Sequence, residues 1–238
     1  MRKTIRALDR FLDGLILIIS LVLLFLGAYS LADEVYIYEG AADRSFLVYK
    51  PQLLQPGAEE RKISDGQIGW ISLEGTGVDY PLMQGKDNAE YLNKDPYGEF
   101  SYSGSIFLDS VCSPDLSDDY SVIYGHHMSG GRMFGCLDEY RSEAYLKEHS
   151  RGMISAGGKL WELQLFAVIE CQAGEPCIFS PKGIDVGKVE RFIRSCPGAT
   201  TVEAQGSGRI VALTTCTAEG DLKRLAVCGF IKQREEEF

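Results

Sequence analysis

The sequence predicts a mainly β domain, a barrel or a sandwich, that follows one apolar N-terminal helix. From residue 63 onward, short apolar runs recur between turn residues, and few segments have helical spacing. Near the start of the chain, the nineteen residues Gly14–Ala32 carry no charge. The total of 238 residues is enough to bury one good core.

The uncharged run is long enough to cross a membrane. As an α-helix it would span roughly 28 Å, close to the hydrocarbon thickness of a bilayer. Asp33 and Glu34 follow it, and four basic residues precede it: Arg2, Lys3, Arg6 and Arg10. The positive-inside rule then places the N-terminus in the cytoplasm and everything after residue 32 outside the cell.

Two other interpretations of this run stay open. Ser30-Leu31-Ala32 is acceptable as a signal-peptidase site, although the run is longer than the usual apolar part of a signal peptide. A buried core helix fits less well, because the run has a basic flank and no polar face. We expect a cytoplasmic N-terminus over 1–13, a transmembrane anchor over 14–32, a partly helical juxtamembrane connector over 33–62 and a folded domain over 63–238.

Charge and cysteine content limit the function classes. Removing the first 32 residues takes away four basic and two acidic side chains, which leaves 20 basic against 32 acidic and a net charge of −12. A nucleic-acid partner is therefore not expected, because phosphates require cations. The seven cysteines leave at least one free thiol, and Cys171 and Cys177 are near enough for a local bridge. No metal site or cofactor is expected, because the sequence has no C-x-x-C pair and its only paired histidines are adjacent.

Hydrophobic periodicity places the individual elements after residue 63. Strands are predicted at 67–73, 78–82, 105–108, 121–124, 159–171, 210–215 and 225–231. Helices are predicted at 87–92, with Asp87 as N-cap, and at 133–149 and 184–196.

Three side chains at predicted strand ends could together perform acyl transfer. Cys216 ends one strand, His126 follows another after Tyr124-Gly125, and Arg224 begins the last strand. A thiolate can attack a carbonyl, an imidazole can move protons, and a fixed guanidinium can stabilise an oxyanion. An antiparallel hairpin of the last two strands would place Cys216 and Arg224 at the same mouth.

Each of these residues has a simpler explanation when it is taken alone. A strand-end cysteine often only packs, a histidine in such a position is more often structural, and an arginine is more often a surface cation. His127 would face away from His126 on a strand and is the weaker candidate for the catalyst. His149 lies in a charged context at a helix end, where we expect it to be solvated.

The motifs as an ordered set resemble the sortases, membrane-anchored transpeptidases of Gram-positive bacteria. Tyr124-Gly125-His126, Thr214-Thr215-Cys216 and Arg224 are similar to the signatures of that family. Further segments resemble class B sortases in their order and spacing; they lie at 68–71, 79–82, 84–88, 91–93, 104–109 and 133–135. The resemblance covers about residues 63–232.

The resemblance implies an eight-stranded sortase-type β-barrel with added N-terminal helices and a helix, 184–196, before the seventh strand. It implies that residues 63–238 form a catalytic domain outside the cell, held to the membrane by one helix. Cys216 would form a thioester with the C-terminal sorting signal of a secreted protein. His126 would protonate the leaving group, Arg224 would hold substrate and oxyanion, and a peptidoglycan-precursor amine would accept the acyl group.

The motif positions also imply substrate-binding roles for Asn88, Leu92, Thr214 and Thr217. The sorting motif, the acceptor amine and the choice between cell-wall anchoring and pilus assembly stay open. A secreted cysteine peptidase or hydrolase of the cell wall would use the same Cys–His chemistry with water as acceptor. It usually has its cysteine ahead of its histidine and at a helix N-terminus, unlike this chain. A non-catalytic scaffold domain on a membrane stalk is a further alternative.

Overall fold

A computed structural model of the chain describes residues 2–51, 62–204, 206, 208–216 and 223–234. The chain divides into two compact units, of which one ends at Gly40 and the other begins at Ala41. The α-helix α1 runs over Arg2–Ala42 and forms the first unit. Among the described residues, one helix is long and apolar enough to cross a membrane, and it is this N-terminal one.

Eight strands of the second unit close into a β-barrel. Including β5, β6 and β9, which lie outside the barrel, the strands of the described residues are in chain order β1 Gln67–Leu73, β2 Asp79–Met83, β3 Ile106–Leu108, β4 Tyr120–Tyr124, β5 His127–Met128, β6 Arg132–Met133, β7 Arg151–Ala156, β8 Lys159–Gln172, β9 Thr200–Thr201, β10 Ile210–Cys216 and β11 Lys223–Gln233. The barrel order is β1-β2-β3-β4-β10-β11-β8-β7, closed by β7 on β1. The pairs β2–β3 and β4–β10 are parallel, and the other barrel pairs are antiparallel.

Apolar residues alternate between the barrel interior and its outer face, as strand geometry requires. On β10, Val211 and Leu213 belong to the interior core, whereas Ile210 and Ala212 belong to a second buried cluster. That second cluster lies between the outer face of the sheet and two helices, α3 Pro176–Phe179 and α4 Val186–Ser195. A short helix, α2 Glu143–Glu148, comes earlier in the chain. Strands β4, β8, β10 and β11 are therefore buried on both faces.

Helix α4 forms as the sequence predicts and lies before β10, the seventh strand of the barrel. Its N-cap is Asp185, whose carboxylate accepts a hydrogen bond from the Lys188 amide. Val189 and Ile193 lie four residues apart, and both are fully buried in the outer cluster. The closed eight-stranded barrel, with this helix in place, confirms the predicted fold class.

The predicted helix over 133–149 is broken in the structure. A 3-10 segment covers Gly135–Arg141, and α2 begins only after Ser142. Ser142 has an extended backbone with ψ of 122°, and its hydroxyl caps α2 at the Tyr145 amide. Local capping by a serine side chain competes here with helix continuation.

The connector that follows α1 is partly built into the barrel unit. After a 3-10 turn begins at Ser45, Phe46 is buried against the rings of Trp70 and Tyr80. Arg44 donates to the carbonyl oxygens of Gly77 and Asp79. Because these contacts join it to β1 and β2, this part of the connector belongs to the fold of the barrel.

Candidate active site

Strands β10 and β11 place Cys216 directly opposite Arg224. The two strands form the predicted antiparallel hairpin, and the register pairs these two residues as its last partners. Directly opposite residues share one face of a sheet. In the same register Thr214 faces Ala226 and Ala212 faces Cys228, so positions 216 and 224 belong to the outer face of the barrel.

The parallel pair β4–β10 brings His126 to the same place. Tyr124 is the register partner of Thr214, and the Gly125 amide donates to the Thr214 carbonyl at 3.1 Å. If this register is extended by two residues along both strands, position 126 lies beside position 216. The ends of β4 and β10 and the start of β11 therefore meet at one edge, and this edge carries the backbone positions of the three predicted catalytic residues.

Hydrogen bonds fix His126 through both its backbone and its ring. The Phe134 amide donates to the His126 carbonyl at 3.0 Å. The ring Nε2 lies 2.7 Å from the Leu92 carbonyl oxygen. Because a carbonyl oxygen can only accept, Nε2 carries a proton, and the neutral ring has its lone pair on Nδ1. The His126 ring is half-buried. Because Nε2 is occupied by the Leu92 carbonyl, Nδ1 is the ring nitrogen that can exchange a proton with a substrate.

The other two histidines have partners elsewhere. The His127 Nε2 lies 2.6 Å from a carboxylate oxygen of Asp138, whereas the His126 ring contacts the Leu92 carbonyl. His149 was expected to be solvated, but it packs 4.2 Å from the Tyr145 ring, and its Nδ1 lies 3.3 Å from the Glu74 carbonyl oxygen. Neither of these contacts joins the strand ends that carry His126.

The Arg224 guanidinium is hydrogen-bonded to the backbone of its own strand. Its Nη1 donates to the Lys223 carbonyl at 2.9 Å, and its register partner on β8 is Cys171. Burial raises the pKa of the Cys171 thiol to about 12, even though the nearby Arg224 charge acts in the opposite direction. The arginine is half-buried at the edge of the outer face.

The predicted substrate-binding residues have different environments. The Asn88 amide is engaged at both ends, because Nδ2 donates to Asp109 at 2.9 Å and Oδ1 accepts from the Ser110 amide at 2.8 Å. The Leu92 side chain is 40% exposed, while its carbonyl accepts from His126. Leu92 is thus the one of the pair with a surface to offer a substrate.

The two predicted threonines are also placed differently from each other. Thr214 is buried, and its hydroxyl donates to the Ile123 carbonyl at 3.3 Å, so the donor of this side chain is already used within the sheet. Thr217 lies outside the described residues.

None of the six cysteines other than Cys216 forms a disulfide in the structure. Cys112, Cys136, Cys171, Cys177, Cys196 and Cys228 are unbridged, so the local bridge considered between Cys171 and Cys177 is not formed. Within the described parts of the chain, no three His, Cys, Asp or Glu side chains are grouped to hold a metal ion.

Two residues at the site were not assigned a role from the sequence. Asp109 is only 3% exposed, and its carboxylate accepts a hydrogen bond from the Tyr124 hydroxyl at 2.8 Å. A carboxylate directly after a buried strand, Ile106–Leu108, was the available signal. Its partner could not be inferred, because Tyr124 is 15 residues away along the chain.

The fold and sequence are similar to those of class B sortases. Sortase B of Listeria monocytogenes is 30% identical over 167 residues, covering 69% of this chain and 68% of that protein. Sortase B of Staphylococcus aureus is 30% identical over 165 residues, covering 65% of each. The chain thus spans about two thirds of the length of these relatives, and no protein-family model matches it.

The chain belongs to the sortase B family. Solved structures agree with this assignment: a Staphylococcus aureus sortase B–substrate complex aligns with a TM-score of 0.65 and 26% identity over 73% of this chain and 82% of that one. A Streptococcus pyogenes class B sortase involved in pilus biogenesis aligns with a TM-score of 0.65 and 32% identity, over 71% and 94%. As a sortase, the chain is a cysteine transpeptidase.

Proposed function

We propose that this sortase cleaves the C-terminal sorting signal of secreted proteins and transfers the acyl group to an amine of a peptidoglycan precursor. The observation that carries the proposal is the convergence of positions 126, 216 and 224 at one barrel edge. The related Staphylococcus aureus enzyme has been solved as a substrate complex, which supports a peptide substrate for this chain as well.

In the first half-reaction, the Cys216 thiolate attacks the carbonyl carbon of a threonine in the sorting signal. The C–S bond forms, and the oxyanion is held by the Arg224 guanidinium, whose charge also favours the thiolate. The scissile C–N bond then breaks. The leaving amine takes a proton from the imidazolium of His126, at Nδ1, because Nε2 is held by the Leu92 carbonyl.

In the second half-reaction, the acceptor amine attacks the thioester. The amine proton passes to Nδ1 of His126, a new amide bond forms, and the thiolate leaves. The ring thereby returns to the imidazolium, and no net oxidation or reduction takes place. Water in place of the amine would give hydrolysis, so exclusion of water from this edge favours transfer.

The proposal is tested with the full-length chain in detergent and a panel of quenched sorting-signal peptides. We expect cleavage, an amide product only when a short amine acceptor is added, and an acyl adduct on Cys216 in the intact mass. The variant Cys216→Ala should show neither turnover nor adduct. Cleavage without any amide product would instead favour the hydrolase, and cleavage by Cys216→Ala would place the nucleophile elsewhere.

Pilus assembly is a second candidate, and one observation favours it. The aligned Streptococcus pyogenes class B sortase, which is involved in pilus biogenesis, has 94% of its length covered by this chain. A pilin lysine side chain would then be the acceptor in place of the peptidoglycan amine. Competition between a lysine-containing pilin peptide and a cell-wall peptide amine in the same assay distinguishes the two acceptors.

We further propose that α1 anchors the enzyme with its N-terminus in the cytoplasm and the barrel outside the cell. Four basic residues before the apolar run and acidic residues after it support this orientation. Protease treatment of protoplasts should remove a C-terminal epitope and spare an N-terminal one. The opposite pattern would reverse the topology, and release of the enzyme into the medium would indicate a cleaved signal peptide.

A further inference from the structure

Asp109 is a carboxylate with three hydrogen-bond donors around it, directly after β3. Its Oδ2 accepts from the Tyr124 hydroxyl at 2.8 Å and from Asn88 Nδ2 at 2.9 Å, and its Oδ1 accepts from the Val111 amide at 3.1 Å. The residue is only 3% exposed. Hydrogen bonds to a charged acceptor are about twice as strong as neutral ones, so this carboxylate can hold both side chains firmly.

The backbone of Asp109 is also fixed. Its amide donates to the Val122 carbonyl at 2.8 Å, which joins it to β4. Its carbonyl accepts from Gln84 Nε2 at 3.0 Å, which joins it to the end of β2. Asp109 is therefore tied to two neighbouring barrel strands and gives its hydrogen-bond partners a fixed attachment point.

The two side chains that donate to Asp109, Tyr124 and Asn88, belong to segments that carry or contact His126. Tyr124 lies two residues before His126, at the last position of β4. Asn88 begins the segment that ends at Leu92, whose carbonyl accepts from the His126 ring. The Asp109 carboxylate thus hydrogen-bonds both to the end of β4, which precedes His126, and to the segment 88–92, which contacts the His126 ring.

We infer that Asp109 is a positioning residue for His126, acting through Tyr124 and Asn88. The inference rests on the proposed role of His126 as proton carrier. It gives Asn88 the role of orienting the Leu92 carbonyl, in place of the substrate contact expected from the motif. Asp109 keeps the ring in the state with the proton on Nε2, so that Nδ1 is the atom that exchanges protons at the site.

The variant Asp109→Asn tests the inference with almost no change in volume. An amide has one acceptor oxygen and brings two donors, so it can replace either Oδ2, which accepts from Tyr124 and Asn88, or Oδ1, which accepts from the Val111 amide, but not both. We expect kcat to fall about 10- to 100-fold, the size of effect that misplacement of a catalytic group produces, while KM changes less than about threefold. Tyr124→Phe and Asn88→Ala should each give part of this loss, and the double variant less than the product of the two.

A nitrogen NMR spectrum of the full-length chain in detergent gives a readout that a purely structural role would not move. Three histidines contribute ring signals, and His126→Gln assigns the signal of interest. We expect Asp109→Asn and Tyr124→Phe to change the Nε2–H state of His126 alone, with the rings of His127 and His149 unchanged.

Asp118→Asn is the matched control. Asp118 also accepts hydrogen bonds within the connection between β3 and β4, from the Ser113 amide and hydroxyl, but it contacts none of the groups around His126. It should lower stability without changing the His126 signal. The inference is overturned if Asp109→Asn leaves that signal unchanged, or if its kcat loss is no larger than that of Asp118→Asn. These outcomes do not depend on whether Cys216→Ala abolishes turnover, so the two proposals fail separately.

Discussion

The two adjacent histidines show how a single residue step changes the chemistry available to a side chain. Backbone alternation directs His126 to the Leu92 carbonyl and His127 to the Asp138 carboxylate. The Asp138 contact holds the His127 ring at the 3-10 segment Gly135–Arg141. The His126 ring stays beside the end of β4, so His126 is the better candidate to shuttle protons at this edge.

The first prediction compares the two residues directly. His126→Ala should lower kcat about 10²- to 10⁴-fold, which is the usual contribution of general acid–base catalysis. His127→Ala should lower it less than about tenfold, because only the Asp138 contact is lost. Steady-state kinetics of both variants check this, and a reversal of their order would assign the proton transfer to His127.

Arg224 is the second residue whose identity, and not only its charge, should matter. Lysine keeps the positive charge but presents one ammonium in place of a planar set of donors. We expect Arg224→Lys to lower kcat/KM about 10²- to 10³-fold, as does the loss of an oxyanion donor in other enzymes. Near-normal kinetics for this variant would show that the guanidinium does not contact the transition state.

At the scale of elements, the loop before β3 positions the carbonyl that orients His126. Gly104 has φ of +56°, and a Cβ at this position would lie 2.4 Å from the Leu92 carbonyl oxygen. Gly98, in the same loop, also has a positive φ of +95°, but a Cβ there would meet nothing within 4 Å. These two glycines separate backbone strain from displacement of the carbonyl.

We therefore predict that Gly104→Ala lowers kcat about tenfold or more, because the Leu92 carbonyl must shift and the His126 ring follows it. Gly98→Ala should cost about 1 to 2 kcal/mol of stability from the positive φ alone and leave kcat unchanged. Thermal melts together with kinetics check both variants. Equal kcat values for the two would show that the Leu92 contact is not needed for turnover.

Helix α4 is the second element with a defined consequence. Ile193 is fully buried in the outer cluster, so Ile193→Ala should destabilise the chain by about 2 to 5 kcal/mol. Glu190→Ala, on the solvent-facing side of the same helix, should change the stability by less than about 0.5 kcal/mol. Urea unfolding of both variants checks this, and a small effect of Ile193→Ala would mean that α4 is not docked in solution.

At the scale of the whole molecule, burial raises the pKa of several thiols and so lowers their reactivity. It raises the pKa of Cys112 and of Cys136 to about 11 and that of Cys171 to about 12. A raised pKa keeps the thiol protonated below that value, so at pH 8 only about one thousandth or less of each would be the reactive thiolate.

We predict that iodoacetamide at pH 8 leaves these three thiols unmodified in the folded chain and modifies them in urea. The rate of modification in the folded chain should rise as the pH approaches 11. Peptide mass mapping gives the extent at each cysteine. Rapid modification of Cys112 or Cys136 under folding conditions would show that the barrel opens to reagent.

Local patterns were sufficient for much of the barrel and failed where tertiary contacts decide. The strands at 67–73 and 159–172 and the helix at 186–195 follow from periodicity and capping, and the structure has them close to the predicted bounds. Strand β7, Arg151–Ala156, is not predicted from the sequence. It lies between β1 and β8, and its last three residues, 154–156, are all buried. Such a strand has no clear alternation of polar and apolar residues.

By itself the sequence determined the apolar N-terminal helix and predicts the candidate site residues, because strand ends, turn glycines and uncharged runs are local signals. Only the tertiary structure decided which side chains meet. Parallel pairing of β4 with β10 brings together residues about ninety positions apart, and no local pattern encodes that register. The fold also places the Asn88 side chain against Asp109, which lies 21 residues away along the chain. A hydrogen bond between distant residues exists only once the sheet that joins them has formed.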